Sequence, residues 1–252
     1  MRKLLVLSLL FAFSVQSVLA KIIKSNVICT VLTEVQKHKG KRVLTAFDLD
    51  ETLIIPNNNN HRGGDMWLQA RVNNAVSKGV PVGLAWDLML PMYFEIQKDP
   101  NFSVRLIEGI ESFNVVQALQ KESERVIGLT ARSFPIEDDT IRLLEATGIS
   151  FVHSGYFNAL PTQEKVFMFD GVPGGFKHGI FFAGPGDKGK SLMALFATCE
   201  YRPEVIVFVD DKLKNVQSVE RAAEAAGIEF VGILYTRMDQ VKTEYKLHPD
   251  LT

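Results

Sequence analysis

Apolar and polar positions along the chain fall into two kinds of block. Short apolar runs at 42–47 (RVLTAF), 125–130, 149–153, 204–209 (EVIVFV) and 229–234 read as buried strands. Between them, apolar residues recur at helical spacing. Val27, Val31, Leu32 and Val35 mark a helix over 25–38, with Ser25 or Asn26 as its cap and Gly40 at its end. Further helices are predicted over 111–121, over 137–147 before Gly148, over 189–199, and over 213–226 before Gly227. Residues 66–98 are rich in Trp, Leu, Met and aromatics and carry Pro81 and Pro91, with Pro100 just beyond; they predict two or three helices. Residues 155–187 differ: Gly, Pro and alternating aromatic patches (KVFMF, GIFFA) predict a β-hairpin or extended loops. Strands alternating with helices predict an α/β fold with a Rossmann-like parallel sheet covered on both faces. Two elaborations are expected on it, a mostly helical insertion after the first apolar strand and a β-rich one later.

In such sheets ligands bind beyond the carboxyl ends of the strands. The residues that follow each strand are therefore the informative ones. After 42–47 comes Phe47-Asp48-Leu49-Asp50-Glu51-Thr52-Leu53. Carboxylates at i and i+2 directly after a buried strand are costly unless a cation compensates them, and an extended chain points both the same way. After 125–130, Thr130 places a hydroxyl ahead of backbone amides suited to a phosphate oxygen. Lys188 stands at a helix start, where a cation is unfavourable unless it has an anionic partner. Asp210-Asp211 follows the strand at 204–209.

Asp48/Asp50/Thr52, Thr130, Lys188 and Asp210/Asp211, in that order, resemble the haloacid dehalogenase-like (HAD) superfamily of phosphohydrolases. The resemblance spans about residues 43–235. Within the superfamily, Gly63-Gly64-Asp65-Met66-Trp67 after a polar loop resembles a bacterial HAD-like group first catalogued as a domain of unknown function. Its members are exported or delivered proteins of intracellular bacteria. The resemblance implies a Mg²⁺-dependent phosphomonoester hydrolase. Asp48 would be the nucleophile and Asp50 the general acid and base, with Thr52 in support. Thr130 and Lys188 would neutralise phosphoryl oxygens. Mg²⁺ would take Asp48, the backbone carbonyl of Asp50, and Asp210. Asp211 would be either a further ligand or a group orienting Lys188. Lys190 competes with Lys188, but Lys-Gly-x-x-Leu matches the family pattern at Lys188.

The long interval between Thr52 and Thr130 resembles a cap inserted after the first strand, one that excludes water and selects substrate. The expected organisation is a leader at 1–20, a core at 21–54 and 103–252, and a helical cap at 55–102. His61, Arg62, Trp67 and Arg71 are candidates to line the cap, although cap core is the commoner setting for Trp67 and Trp86. The substrate would be phosphorylated, a small molecule or a phosphoprotein.

The first twenty residues change where this chemistry would happen. Arg2 and Lys3, the apolar run Leu4–Val15 and Val18-Leu19-Ala20 form a secretory leader cleaved after Ala20. The expected location is periplasmic or secreted, with no stable membrane anchor because the run is short for a span. Export admits a Cys29–Cys199 disulfide, but two buried free thiols are the expectation. With Lys plus Arg at 28 and Asp plus Glu at 29, the net charge of −1 excludes a dedicated nucleic-acid binder.

Three other readings compete. Gly184 to Ser191 matches the phosphate-loop pattern GxxxxGK[ST], but too little chain follows to complete such a sheet, and FDLDETL would go unexplained. A catalytically silent HAD-like module could bind a host or envelope partner. A phosphotransferase could use the same site with a different acceptor.

Overall fold

The computed structural model describes residues 20–122, 125–152, 166–169 and 172–247. Residues 1–19 of the leader expected at 1–20 lie outside them, while Ala20 is the first residue of a strand, β1 (Ala20–Ser25). Helix α1 (Thr30–Gln36) leads to β2 (Val43–Phe47), whose five residues are all buried, as a central parallel strand requires. The chain then makes one tight turn, with Leu53 N and Ile54 N both donating to Leu49 O, and enters β3 (Ile54–Pro56).

Two helices follow, α2 (Asp65–Ser77) and α3 (Val82–Lys98). Pro81 caps α3, but Pro91 lies inside it rather than ending it. Pro91 and Asp87 are both exposed, so the carbonyl that loses its partner faces water. The chain returns through β4 (Val104–Leu106), antiparallel to β3, which closes the base of the helical insertion. Next come α4 (Ile110–Glu122), β5 (Arg125–Thr130) and α5 (Glu137–Glu145). Glu137, Asp138 and Asp139 fill the first turn of α5, where carboxylates favour the helix dipole.

The expected strand at 149–153 does not form over its described residues, 149–152. Ile149 and Phe151 are buried, but the edge of β5 they would need is taken by another strand. That strand ends a meander: β6 (Val166–Phe169), β7 (Val172–Lys177) and β8 (Ile180–Phe182), with the sheet running antiparallel from β6 to β8. The remainder is α6 (Lys188–Thr198), β9 (Val205–Asp210), α7 (Leu213–Ala225), β10 (Glu229–Tyr235) and α8 (Asp239–Leu247).

Eight strands form one sheet in the order β1-β10-β9-β2-β5-β8-β7-β6, parallel from β1 to β8. Strand alternation sorts side chains onto its two faces. Val43, Phe47, Val205, Val207 and Val209 meet α1, α4 and α5 on one face. Leu44, Ala46, Ile206 and Phe208 meet α6 and α7 on the other. A third apolar cluster joins α2 and α3 to Met238 and to Tyr245 of α8. Cys29 is exposed rather than buried, Cys199 is buried behind α6, and the two are not joined.

The tightest helix contact fixes where α6 starts. The amide of Gly189 donates to Ser218 Oγ at 2.9 Å, and a Cβ on Gly189 would lie 2.3 Å from the Ser218 carbonyl oxygen. Gly189→Ala should therefore cost about 2 kcal/mol in urea unfolding, the usual scale for overpacking a close contact. A cost under about 0.5 kcal/mol would mean that α6 and α7 separate freely.

Candidate active site

Parallel strands place Asp48 after β2, Thr130 at the end of β5, Asp210 at the end of β9 and Lys188 at the start of α6, all at one edge of the sheet. Lys188 is 2% exposed and bridges two carboxylates: Nζ donates to Asp48 Oδ1 at 2.5 Å and to Asp210 Oδ2 at 2.7 Å. Burial alone would discharge the lysine, but Asp210 and Asp48 outweigh it and raise its pKa. Burial also raises both carboxylates to about 6, against the opposing pull of Lys188. Asp210 is held further by the Lys212 amide at 2.8 Å and by Asn215 Nδ2 at 3.0 Å to each oxygen. Thr52 Oγ1 reaches Asp48 Oδ2 at 3.4 Å.

Asp50 is held differently. Arg132 meets it with two parallel bonds, Nε to Oδ2 and Nη2 to Oδ1, each 2.8 Å. Burial would raise the Asp50 pKa, but the charge and hydrogen bonds of Arg132 win and lower it. Arg132 Nη1 also donates to Gln97 Oε1 at 2.9 Å and to Thr140 Oγ1 at 3.2 Å. Gln97, at the end of α3 and fully buried, donates in turn to the carbonyl of Gly63 before α2. Gly63 has φ +85°, and a Cβ there would lie 2.6 Å from Ile96 and 2.7 Å from Phe102. One guanidinium thus ties Asp50 to both ends of the helical insertion.

The other tie is Glu51. It is buried in a left-handed conformation (φ 59°), and its carboxylate accepts the Met66 amide at 2.8 Å, capping the N-terminus of α2. Burial, then the nearby charges of Asp65 and Asp211, raise its pKa well above the usual range. Asp65 pairs with Lys212 at 2.5 Å.

These groups floor a cavity of about 440 Å³ lined by Asp48, Asp50, Thr130, Arg132 and Lys188 below and by Trp86, Leu90, Tyr93 and Phe94 of α3 above. The structure thus brings four residues expected from the sequence into one chamber. Of the two placements expected for Asp211, the geometry sets aside one and leaves the ligand position. Asp211 does not orient Lys188; its Oδ2 accepts from Lys242 at 2.5 Å, and it lines a separate cavity of about 630 Å³ beside α2 and α8. Its Oδ1 is buried with no hydrogen-bond partner among the described residues. Asp48, Asp210 and Asp211 each offer an oxygen within 4.8 Å of the others. An orphaned buried carboxylate oxygen among three acids fits a hard divalent cation such as Mg²⁺.

The expected cap residues do not line the 440 Å³ cavity. Trp67 is 2% exposed in the core of the insertion, with the Arg71 guanidinium 5.6 Å from its ring centroid. His61 stands edge-on to Tyr245, and Arg62 is exposed in a turn whose amide donates to Asn58. Helix spacing alone could not tell which side of the insertion faces the strand ends. The phosphate-loop reading also fails on geometry. The lysine it needs, Lys190, is exposed, and its own amide and that of Gly189 are taken by the Asp187 and Ser218 side chains. Sequence reasoning gave no role to Arg132, Gln97 or Glu51. The one available signal was position: an arginine just past a strand-end hydroxyl and a third acid beside Asp50.

Fold and site together define an α/β protein with a buried acid–lysine centre at the carboxyl edge of its sheet. Residues 25–251 match the family described as Protein of unknown function (DUF2608), and the chain belongs to that family. A Chlamydia pneumoniae protein named "Putative outer membrane protein" is 24% identical over 211 residues, covering 81% of this chain and 70% of its own. A Chlamydia trachomatis protein of the same name is 22% identical over 191 residues, covering 75% of this chain and 67% of its own. A haloacid dehalogenase-like family hydrolase from Streptococcus pneumoniae aligns over 81% of this chain and 98% of its own, at a TM-score of 0.45 and 12% identity. Among the described residues no helix is long and apolar enough to cross a membrane.

Arg132→Ala would leave Asp50 buried and unpaired, and should lower stability by about 3 kcal/mol or more in urea unfolding. Adding Asp50→Ala should recover much of that loss. Strictly additive losses would show that the two groups act independently.

Proposed function

We propose that this chain is a metal-dependent phosphomonoester hydrolase that works through an aspartyl-phosphate. The observation that carries the reading is the buried Lys188 bridging Asp48 and Asp210, with Asp50 two residues on and facing the same cavity. In the first step an Asp48 carboxylate oxygen forms a bond to phosphorus as the ester P–O bond breaks, and the leaving oxygen departs with a proton from solvent, because Asp50 paired with Arg132 carries none. Lys188 and the Thr130 hydroxyl stabilise the phosphoryl oxygens as charge shifts onto them. In the second step water attacks phosphorus, Asp50 takes its proton, and the bond to Asp48 breaks to release phosphate. The Arg132 clamp keeps Asp50 ionised, the state that accepts that proton. Asp48, Asp210 and Asp211 would hold Mg²⁺, with the Asp50 carbonyl as a further ligand. When bound, the ion supplies positive charge against the phosphoryl group. The leader and the names of the chlamydial relatives support work outside the cytoplasm.

The test is hydrolysis of 4-nitrophenyl phosphate with Mg²⁺ or with EDTA, beside Asp48→Asn. Turnover should need the metal and fall by at least about 100-fold in the variant. Unchanged turnover in Asp48→Asn would remove the aspartyl-phosphate. Folded protein that neither turns over nor binds beryllofluoride would be a silent binding module instead.

A further inference from the structure

Helix α3 carries two apolar stripes. Leu84, Leu88 and Met92 face outward, each about half exposed. Trp86, Leu90, Tyr93 and Phe94 recur at the spacing of one helical face and line the roof of the 440 Å³ cavity. Gln97 continues that inner face and is the residue that bonds Arg132. The helix is therefore pinned at its end to the catalytic floor, which sets the height of its aromatic rings above Asp48 and Asp50. Trp86, Leu90 and Phe94 are only partly buried, so they keep apolar surface available to a guest.

The charges of the chamber carry the second part. Lys188 is spent on Asp48 and Asp210, Arg132 on Asp50, and Lys212 on Asp65. Of the cations lining the cavity, only Lys214 has no ion pair among the described residues. The chamber can answer one phosphate at its floor, and little in it answers a second. Gln69, Ser133 and Asn215 also line the cavity, but its roof offers mainly hydrocarbon and ring faces, with the Tyr93 hydroxyl and the Trp86 indole N–H as its polar groups, where a sugar set against it would need a partner for each hydroxyl.

We infer that the substrates are monophosphate esters whose leaving group is a single flat apolar ring, the aryl phosphomonoester class, with Trp86 and Phe94 as the residues that choose it. This rests on the phosphatase reading above. A ring lying under Leu90, with Trp86 about two helical turns from Phe94 along the same face, buries its surface against that stripe and can meet either aromatic in the offset or edge-on contacts such groups prefer. Sugar phosphates and bisphosphates would leave polar groups unpaired against the same wall.

Binding is tested apart from turnover with two inert phosphonates, benzylphosphonate and propylphosphonate, titrated into the whole protein with Mg²⁺ by calorimetry. The expected result is benzylphosphonate tighter by about tenfold. In Trp86→Ala and in Phe94→Ala the ratio of the two affinities should collapse toward one. In Leu88→Ala, on the outer stripe, the ratio should stay as in the parent protein. Equal affinities in the parent protein, or a ratio that survives both roof substitutions, would overturn the aryl preference while leaving the phosphatase reading intact. Failure of both phosphonates to bind folded protein would overturn the phosphate site itself, and the aryl preference with it.

Discussion

Everything at the edge of this sheet depends on keeping charge out of water without leaving it unpaired. Taking a lysine and two aspartates into the interior costs more than their mutual attraction returns unless every donor and acceptor is placed. Lys188, Asp48 and Asp210 meet that condition because three separate segments arrive in register. β2 delivers Asp48, β9 delivers Asp210, and the close contact of α6 with α7 sets the start of α6 at Lys188. The Lys212 amide and Asn215, at the start of α7, complete Asp210. The apolar strands contribute the stability that the charged cluster does not. Val205, Val207 and Val209 on one face and Ile206 and Phe208 on the other bury β9 completely up to Asp210.

The helical insertion is bound to this floor at both ends. Glu51 holds the N-terminus of α2, and Arg132 holds the end of α3 through Gln97. Both holders lie beside residues that would do the chemistry, Glu51 next to Asp50 in sequence and Arg132 two residues past Thr130. A shift of the insertion is felt first at Asp50, whose two oxygens belong to the same guanidinium that reaches Gln97. The placing of α3 above the cavity and the setting of that carboxylate are thus one mechanical property of the fold.

The parallel sheet was legible because its central strands are unbroken apolar runs, and each ends in a residue with an obvious cost. Asp48, Asp210 and Thr130 could be placed on one edge from alternation and handedness alone. Arg132 could not be assigned, because its partner is 82 residues away and nothing local marks a guanidinium as buried. The strand expected at 149–153 has the right residues but no free edge to join, a fact visible only once β8 is seen beside β5. The pair β3–β4, α8 and β1 escaped for a related reason. Each is short, and each owes its conformation to a neighbour distant in sequence. The roof was misread because α3 is apolar on two sides: composition marked Trp67 and Trp86 alike, and only packing separates the buried ring from the one facing the cavity.

The pairing of β1 with β10 bears on how this protein comes to be folded. Ala20 lies against Phe230 and Ser25 against Tyr235, so the first described strand has its only sheet partner among the last. Contacts of such high sequence separation form late, since a long loop must close before they return anything. A chain made or threaded from its amino end carries β1 unpaired until nearly all the rest has emerged. During that interval β1 is an open strand, prone to pair with other chains. Completion of the sheet is therefore a closing step of folding, the moment at which the two ends of the described chain fasten each other.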